Sequence, residues 1–369
     1  MKVLHSAALL SPSPGMLNQM SWEQDAAEEL GIQWDSRMYC PNKTFGPLNI
    51  LIQDHTISSS INKSFPKKLF DWVSLRKNYY NWLHSVSDQY DLFLLRYYVH
   101  DLFQLNFVKR FKKPVLFVHH SKEVPELGGE GSFTAKSRSF MEDKIGPFVL
   151  KNTVGLVGVT EEIVFYELSR MKNTTSDKKP YFIYPNGISY QGNKIIDKRI
   201  DHIQILFVCS LFDPWHGLDL LVEDLKINND DFTIHVVGEV KSQDLIYLES
   251  DHRVKLHGKL SNQQINEISY GCHVGLSSFA LFRKEMSEAC TLKVREYLRL
   301  GLPVYAGHKD IFPDDFPFYH FGEPLLNKII YFAREMAIIP KQVVSESARQ
   351  YIDKVEILKS LYSHLTTLK

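Results

Sequence analysis

Two glutamates eight positions apart, Glu288 and Glu296, bracket the part of this 369-residue chain richest in groups that could do chemistry. The spacing puts Glu288 in a loop and Glu296 about a turn into a helix over Thr291–Leu300, stopped by Gly301. The start of that helix, at Thr291 and Leu292, offers free backbone N–H groups and a positive dipole end, which suit a diphosphate. Glu296, just inside, can accept hydrogen bonds from vicinal ribose hydroxyls, as acidic residues do in dinucleotide folds. Solvated surface charge is the other reading of both glutamates, and the commoner fate of a carboxylate.

Two further groups stand out. His119 and His120 end an apolar run from Val115, on the edge where open α/β sheets place ligands; a buried, hydrogen-bonded histidine is the alternative. Gly15 lies in the loop Ser11–Met16, where a glycine lets backbone come close to a ligand and a helix N-terminus follows. A plain strand-to-helix turn would look the same.

These residues need strands and helices to hold them. Val3–Leu9, Asn49–Ile52, Asp91–Tyr97, Val115–His119, Val154–Val159 and Tyr181–Tyr184 read as strands, with helices over Asn18–Leu30, Lys67–His84 and Glu161–Arg170. Gly187–Arg199 is polar and without period, and reads as a linker. The alternation then restarts with strands at Ile203–Val208, Thr233–Val237, Val274–Ser277 and Pro303–Ala306, and helices at Leu218–Asp224, Asn262–Tyr270 and Thr291–Leu300. Two successive series predict an α/β protein with two Rossmann-like parallel-sheet domains, over 1–190 and 191–344. A last helix within 345–369, from about Ser345 to Leu368, would cross back to the first.

Composition excludes several classes. Lys plus Arg equals Asp plus Glu at 43 each, so no global field draws the chain to nucleic acid. Four scattered cysteines form no CxxC pair, which argues against zinc and a disulfide framework and fits a reducing cytoplasm. The apolar start is too short for a membrane span.

The stretch Glu288-Ala-Cys-Thr-Leu-Lys-Val-Arg-Glu296-Tyr-Leu-Arg-Leu-Gly301-Leu-Pro303-Val resembles the E-x7-E motif of retaining family-4 glycosyltransferases with the GT-B fold. Pro185-Asn186-Gly187, Phe207-Val-Cys-Ser-Leu, Trp215-His216-Gly217, Val237-Gly238 and Leu256-His257-Gly258 match the same family in the same order. The resemblance implies two domains facing a central cleft, and a UDP- or GDP-linked hexose as donor. It implies a glycan or lipid-linked glycan hydroxyl as acceptor, retention of configuration and a place in polysaccharide assembly. It puts Gly15, Ser210, His216, Gly258, Thr291, Leu292 and Glu296 on the donor, and Glu288, Lys293 and His119 at the transferred sugar. The family usually presents an arginine and a lysine where this chain has Ser210 and His216. Lys293, Arg283, Lys284 or a protonated His216 would then meet the phosphate charge. Such enzymes generally need no metal or cofactor, and no DxD cluster stands in a site context, so none is expected.

Two other readings remain: a nucleotide-sugar epimerase of the same fold, and a glycosyltransferase-like binding subunit without catalysis. A dinucleotide oxidoreductase is disfavoured, because no G-x-G-x-x-G follows the first strand. Basic-aromatic segments at Lys67–Leu83 and Phe107–Lys113 suit peripheral contact with anionic lipid at the inner membrane face; solvated helices with an aromatic inner face carry the same residues.

Overall fold

The computed structural model describes residues 1–42, 44–57, 65–128, 132–171, 179–190 and 194–368. The chain divides into two units, Met1–Pro185 with Lys354–Lys369, and Asn186–Asp353.

The first unit holds β1 (Val3–Ala8), β2 (Trp34–Pro41), β3 (Leu51–Asp54), β4 (Leu92–Arg96), β5 (Val115–His119), β6 (Gly155–Gly158) and β7 (Tyr181–Ile183). All pair parallel, in the order β3-β2-β1-β4-β5-β6-β7. Parallel neighbours need crossovers. These run through α1 (Pro14–Leu30), α2 (Phe65–Ser85), α3 (Leu102–Arg110), α4 (Glu123–Gly128), α5 (Phe133–Lys151) and α6 (Glu161–Arg170). Because side chains alternate along a strand, one face of the sheet carries Leu4, Phe93, Leu95 and Phe117 against Tyr79, Tyr80 and Leu83 of α2 and Phe107 of α3. The other carries Val3, Leu92, Leu94, Leu116 and Val118 against Ala26 and Ala27 of α1 and the C-terminal leucines 358, 361 and 365.

The second unit repeats the plan with β8 (Gln204–Leu211), β9 (Thr233–Glu239), β10 (Val254–Gly258), β11 (Val274–Leu276), β12 (Val304–Ala306) and β13 (Tyr319–Phe321). They form a parallel sheet ordered β10-β9-β8-β11-β12-β13. Its helices are α7 (Leu218–Leu225), α8 (Ser242–Ser250), α9 (Asn262–Ser269), α10 (Leu292–Arg299), α11 (Leu326–Ala337) and α12 (Lys341–Ile352). Ile205, Phe207, Ile234, Val236 and Leu276 pack on Leu221 and Val222 of α7 and Ile329, Ile330 and Ala333 of α11. Tyr297 of α10 lies under Gly275, where an added Cβ would come 2.5 Å from its ring.

The C-terminal helix expected over Ser345–Leu368 is two helices, α12 and α13 (Lys354–Leu365). Asp353 between them is extended, because the backbone there pairs with Ile188: Ile188 N–H donates to Ile352 O at 2.9 Å, and Ile188 bridges Asp353. Thus α12 belongs to the second unit and α13 to the first. The units divide at Pro185/Asn186 and Asp353/Lys354, not at 190/191 and 344/345. Residues 191–193 of the expected linker lie outside the described residues.

Candidate functional site

In an open parallel sheet, the crevice outside the carboxyl ends of the strands opens where strand order reverses. In the second unit that point lies between β8 and β11. The loop leaving β8 starts at a register shift between Val208 and Leu211, with Ser210 exposed. Gly238 of β9 backs this bulge at φ 127°, and a Cβ there would stand 1.6 Å from Cys209 O, so only glycine fits. A short 3-10 turn, Pro214–His216, follows. Gly217 closes it at φ 72°, with room for only hydrogen against Phe279.

The loop after β11 leads to α10. Glu288 is half-buried and its backbone bridges Lys309. Thr291 caps α10 with extended backbone, but its side chain makes no capping bond, and its Oγ1 is buried with no hydrogen-bond partner. The N–H groups of Leu292 and Lys293 belong to the first turn, which has no partners within a helix. Lys293 Nζ donates to Cys209 Sγ at 3.0 Å, and no carboxylate among the described residues pairs with it. One turn on, Glu296 is half-buried and its carboxylate takes no hydrogen bond among the described residues. Burial raises its pKa above the usual 4.5, with Arg299 only partly opposing.

The helix is held by groups that sequence reasoning passed over. Arg295 is fully buried and forks onto Asp310, itself enclosed, at 2.5 and 2.6 Å. Its Nη1 donates to Thr291 O at 3.3 Å and its Nε to Asn186 O at 3.1 Å. Asn186 donates from Nδ2 to Cys290 O at 2.6 Å, so the Pro185-Asn186-Gly187 motif anchors the start of α10. Asp310 lies fifteen residues from its partner in sequence, and no period relates the two.

The cations meet different fates. Arg283, offered as a phosphate ligand, is spent on Asp219 at 2.9 and 2.7 Å. Lys284 sits 3.8 Å over the Trp215 ring. His216 accepts a hydrogen bond from Asp213 N at Nδ1, and burial together with Lys293 pulls its pKa down to about 4. Without a ligand, His216 is therefore a neutral side chain beside a cation near neutral pH. Gly258 ends β10 at φ 62°, exposed and with open space around it.

In the first unit, strand order reverses between β1 and β4. Gly15 lies within the first turn of α1, behind Ser13, whose Oγ caps Met16 N at 3.3 Å. Arg76 donates to Ala8 O at 3.0 Å and pairs with Asp101 at 3.2 Å, fastening the ends of β1 and the start of α3. His119 is not at the surface. It is 1 % exposed, stacks on Tyr97 at 4.4 Å, and its Nδ1 lies 2.9 Å from Glu123 Oε1. Burial lowers its pKa to about 4, so the ring is neutral. The exposed histidine is His120.

Around His119 lies a buried ionisable cluster. Glu123 is raised to about 7 and Glu167 well above its usual value, both by burial. Glu123 Oε2 and Glu167 Oε1 have no donor among the described residues. One ligand atom each from His119, Glu123 and Glu167 lies within 4.8 Å of the others, a donor set that a divalent ion accepts. A proton shared by the two carboxyls meets the same need, and the raised pKa values favour it.

No family model and no curated protein matches this sequence. Solved structures do match over their whole length. The apo lipopolysaccharide outer core galactosyltransferase WaaB superposes with a TM-score of 0.66 at 12% identity, covering 100% of this chain and 99% of that one. Anabaena HepE, solved with UDP, gives 0.63 at 14%, and a sucrose-phosphate synthase from Thermosynechococcus elongatus gives 0.65 at 15%; each match covers 100% of both chains. The chain has the GT-B fold, with two Rossmann-like halves.

Proposed function

We propose that the protein is a retaining glycosyltransferase that moves a hexose from a nucleotide diphosphate to a glycan or lipid-linked glycan hydroxyl. The observation that carries this reading is the group of unmatched polar atoms at the head of α10. A hydroxyl without a partner, an ammonium without a carboxylate and a half-buried carboxylate without a donor lie within two turns. A nucleoside diphosphate complements all of them. Its phosphates suit the first-turn N–H groups and Lys293, and its ribose hydroxyls suit Glu296.

In this reading the leaving diphosphate is stabilised by Lys293 and the α10 dipole as the glycosidic bond breaks. The departing phosphate oxygen takes the acceptor's proton. Glu288 is assigned to the transferred sugar, with Ser210, His216, Gly258, Thr291 and Leu292 around the nucleotide. The enclosure of His119 favours His120 as the histidine directed at the sugar, with His119 behind it. Gly15 is assigned to the loop beside the donor or acceptor. Because HepE was solved with UDP, uridine donors are the first to try.

Thermal unfolding with a panel of uridine and guanosine nucleotides and their sugars tests the reading. A ligand at a hundred times its Kd stabilises the native state by about 2.7 kcal/mol, a clear rise in Tm. If no nucleotide in the panel raises the Tm, the reading fails. Donor incubated without acceptor separates the runner-up, since an epimerase would return an isomerised donor.

A further inference from the structure

The helix α5 turns its phenylalanines outward. Phe133 is 88 % exposed, Phe140 65 % and Phe148 54 %, and Met141 is exposed beside them. Positions 133, 140, 144, 148 and 151 recur on one helical face, so this stripe also carries Lys144 and Lys151, with Lys136 at its border. Lys144 Nζ lies 5.3 Å from the Phe140 centroid and Lys151 Nζ 5.8 Å from that of Phe148. From Phe133 to Phe148 the stripe runs about 22 Å.

A helix would bury such residues if it could roll, and the opposite face explains why it does not. Glu142 is fully buried there, accepting from Tyr97 Oη at 2.7 Å and from Arg170 Nη2 at 2.6 Å, and from His100 N. Gly146 follows one turn on, where a Cβ would stand 2.1 Å from Arg170 Nη2. Rolling α5 to hide the phenylalanines would strip Arg170 of this partner, leave a buried charge unpaired and carry larger side chains into the close contact that only Gly146 allows. The aromatic face is fixed outward.

Charge selects what covers it. Lys136, Arg138, Lys144 and Lys151 are exposed on α5, opposed by one exposed acid, Asp143, which pairs with Lys144 at 2.9 Å. α3 packs beside α5 and ends in exposed Lys109 and Arg110, with Lys112 just beyond. Two copies of so cationic a face repel each other, whereas anionic head groups attract it and acyl chains accept the rings. Among the described residues no helix is long and apolar enough to cross a membrane, so contact would be from one side.

We propose that α5 is a peripheral docking face for anionic lipid, lying flat with Phe133, Phe140 and Phe148 in the acyl boundary and its lysines among the head groups. The full chain is tested by co-sedimentation with phosphatidylcholine vesicles, with and without phosphatidylglycerol. The parent should bind the anionic vesicles and release at high salt. Lys136→Glu/Lys144→Glu/Lys151→Glu should lower the partition coefficient at least a hundredfold, at roughly fivefold or more per charge. Phe133→Ser/Phe140→Ser/Phe148→Ser should lower it comparably. Both variants should keep the parent's Tm, because the side chains are exposed. Absence of parent binding at low salt, or variants that bind as the parent does, overturns the proposal. So does a dimer in sedimentation velocity that the serine variant dissolves without any vesicle binding. Nucleotide binding, measured alongside, tests the glycosyltransferase reading independently.

Discussion

Glu23 in the first unit and Glu296 in the second are both carboxylates withdrawn from water, and their surroundings differ completely. Burial alone would raise the pKa of Glu23, but His5 at 2.6 Å, Tyr184 and the Lys354 charge overcome it and hold it near 2. Trp34 Nε1 and Ser36 Oγ donate to it as well. Glu296 has no such donors, and burial pushes its pKa up. Depth therefore does not mark a ligand site. A buried charge with every lone pair matched is a structural joint, and one left unmatched costs stability unless something else completes it.

The largest expected effect is at the matched carboxylate. Glu23→Ala leaves several buried donors without an acceptor and should destabilise the first unit by about 3–5 kcal/mol, read by denaturant unfolding. The folded pKa near 2 lies below the ordinary 4.5, so Glu23 contributes fully above pH 4.5. That contribution, roughly 3 kcal/mol, is lost as pH falls toward 2. A parent Tm that declines with acid no faster than that of Glu23→Ala would show that the carboxylate is not matched as described.

Glu296→Gln should act in the opposite sense on stability. Its raised pKa means the ionised form is penalised by folding, and that penalty is complete once pH has risen through the folded value. Removing the charge should hold or raise the Tm at neutral pH. Nucleotide affinity should nevertheless fall ten- to a hundredfold, because roughly 1.5–3 kcal/mol of charge-assisted hydrogen bonding to ribose is lost. A fall in both Tm and affinity would make Glu296 a second structural joint and erase the contrast with Glu23.

How much of this is legible without coordinates depends on whether a residue's role is local. The helix Glu161–Arg170 and the strand Val115–His119 are found to the residue, because their apolar periods are unbroken. α10 is legible from its cap region and Gly301. β2 is not, because its run, Trp-Asp-Ser-Arg-Met-Tyr-Cys-Pro, mixes charge with apolar residues and ends in proline. α5 is missed for a physical reason: it buries Glu142 and Gly146 and exposes phenylalanine, the inverse of a soluble amphipathic helix. The Arg295–Asp310 fork is also beyond sequence, since it joins two loop-and-helix segments that only the fold brings together. The choice between His119 and His120 is obscured for a different reason. Every residue of β5 is buried, so the strand has no polar face to set direction, and Glu123 and Glu167 arrive from α4 and α6.

Lys293→Ala should have a smaller effect than Glu296→Gln. The ammonium is half-buried, so its attraction for phosphate is partly screened, and a loss of about 1 kcal/mol, roughly fivefold, is expected for the diphosphate. Uridine without phosphate should bind almost as before. Equal losses for nucleoside and diphosphate would remove Lys293 from the phosphate and leave α10 holding it by backbone alone.

The smallest effect on nucleotide binding belongs to the histidine pair, and it separates a matched group from an unmatched one within two adjacent residues. His120→Ala should change nucleotide affinity less than twofold yet lower turnover, because its proposed contact is with the sugar as charge develops rather than with base or ribose. His119→Ala should lower the Tm by removing the hydrogen bond with Glu123 and opening a gap beneath Tyr97, with turnover falling only as far as the folded fraction does. His119→Gln, which keeps a donor, should recover much of that stability. The same cluster supplies the sharpest control: activity is expected to survive excess EDTA. If chelation abolishes turnover and one divalent ion restores it in the parent but not in His119→Ala, then a metal rather than a shared proton sits between Glu123 and Glu167.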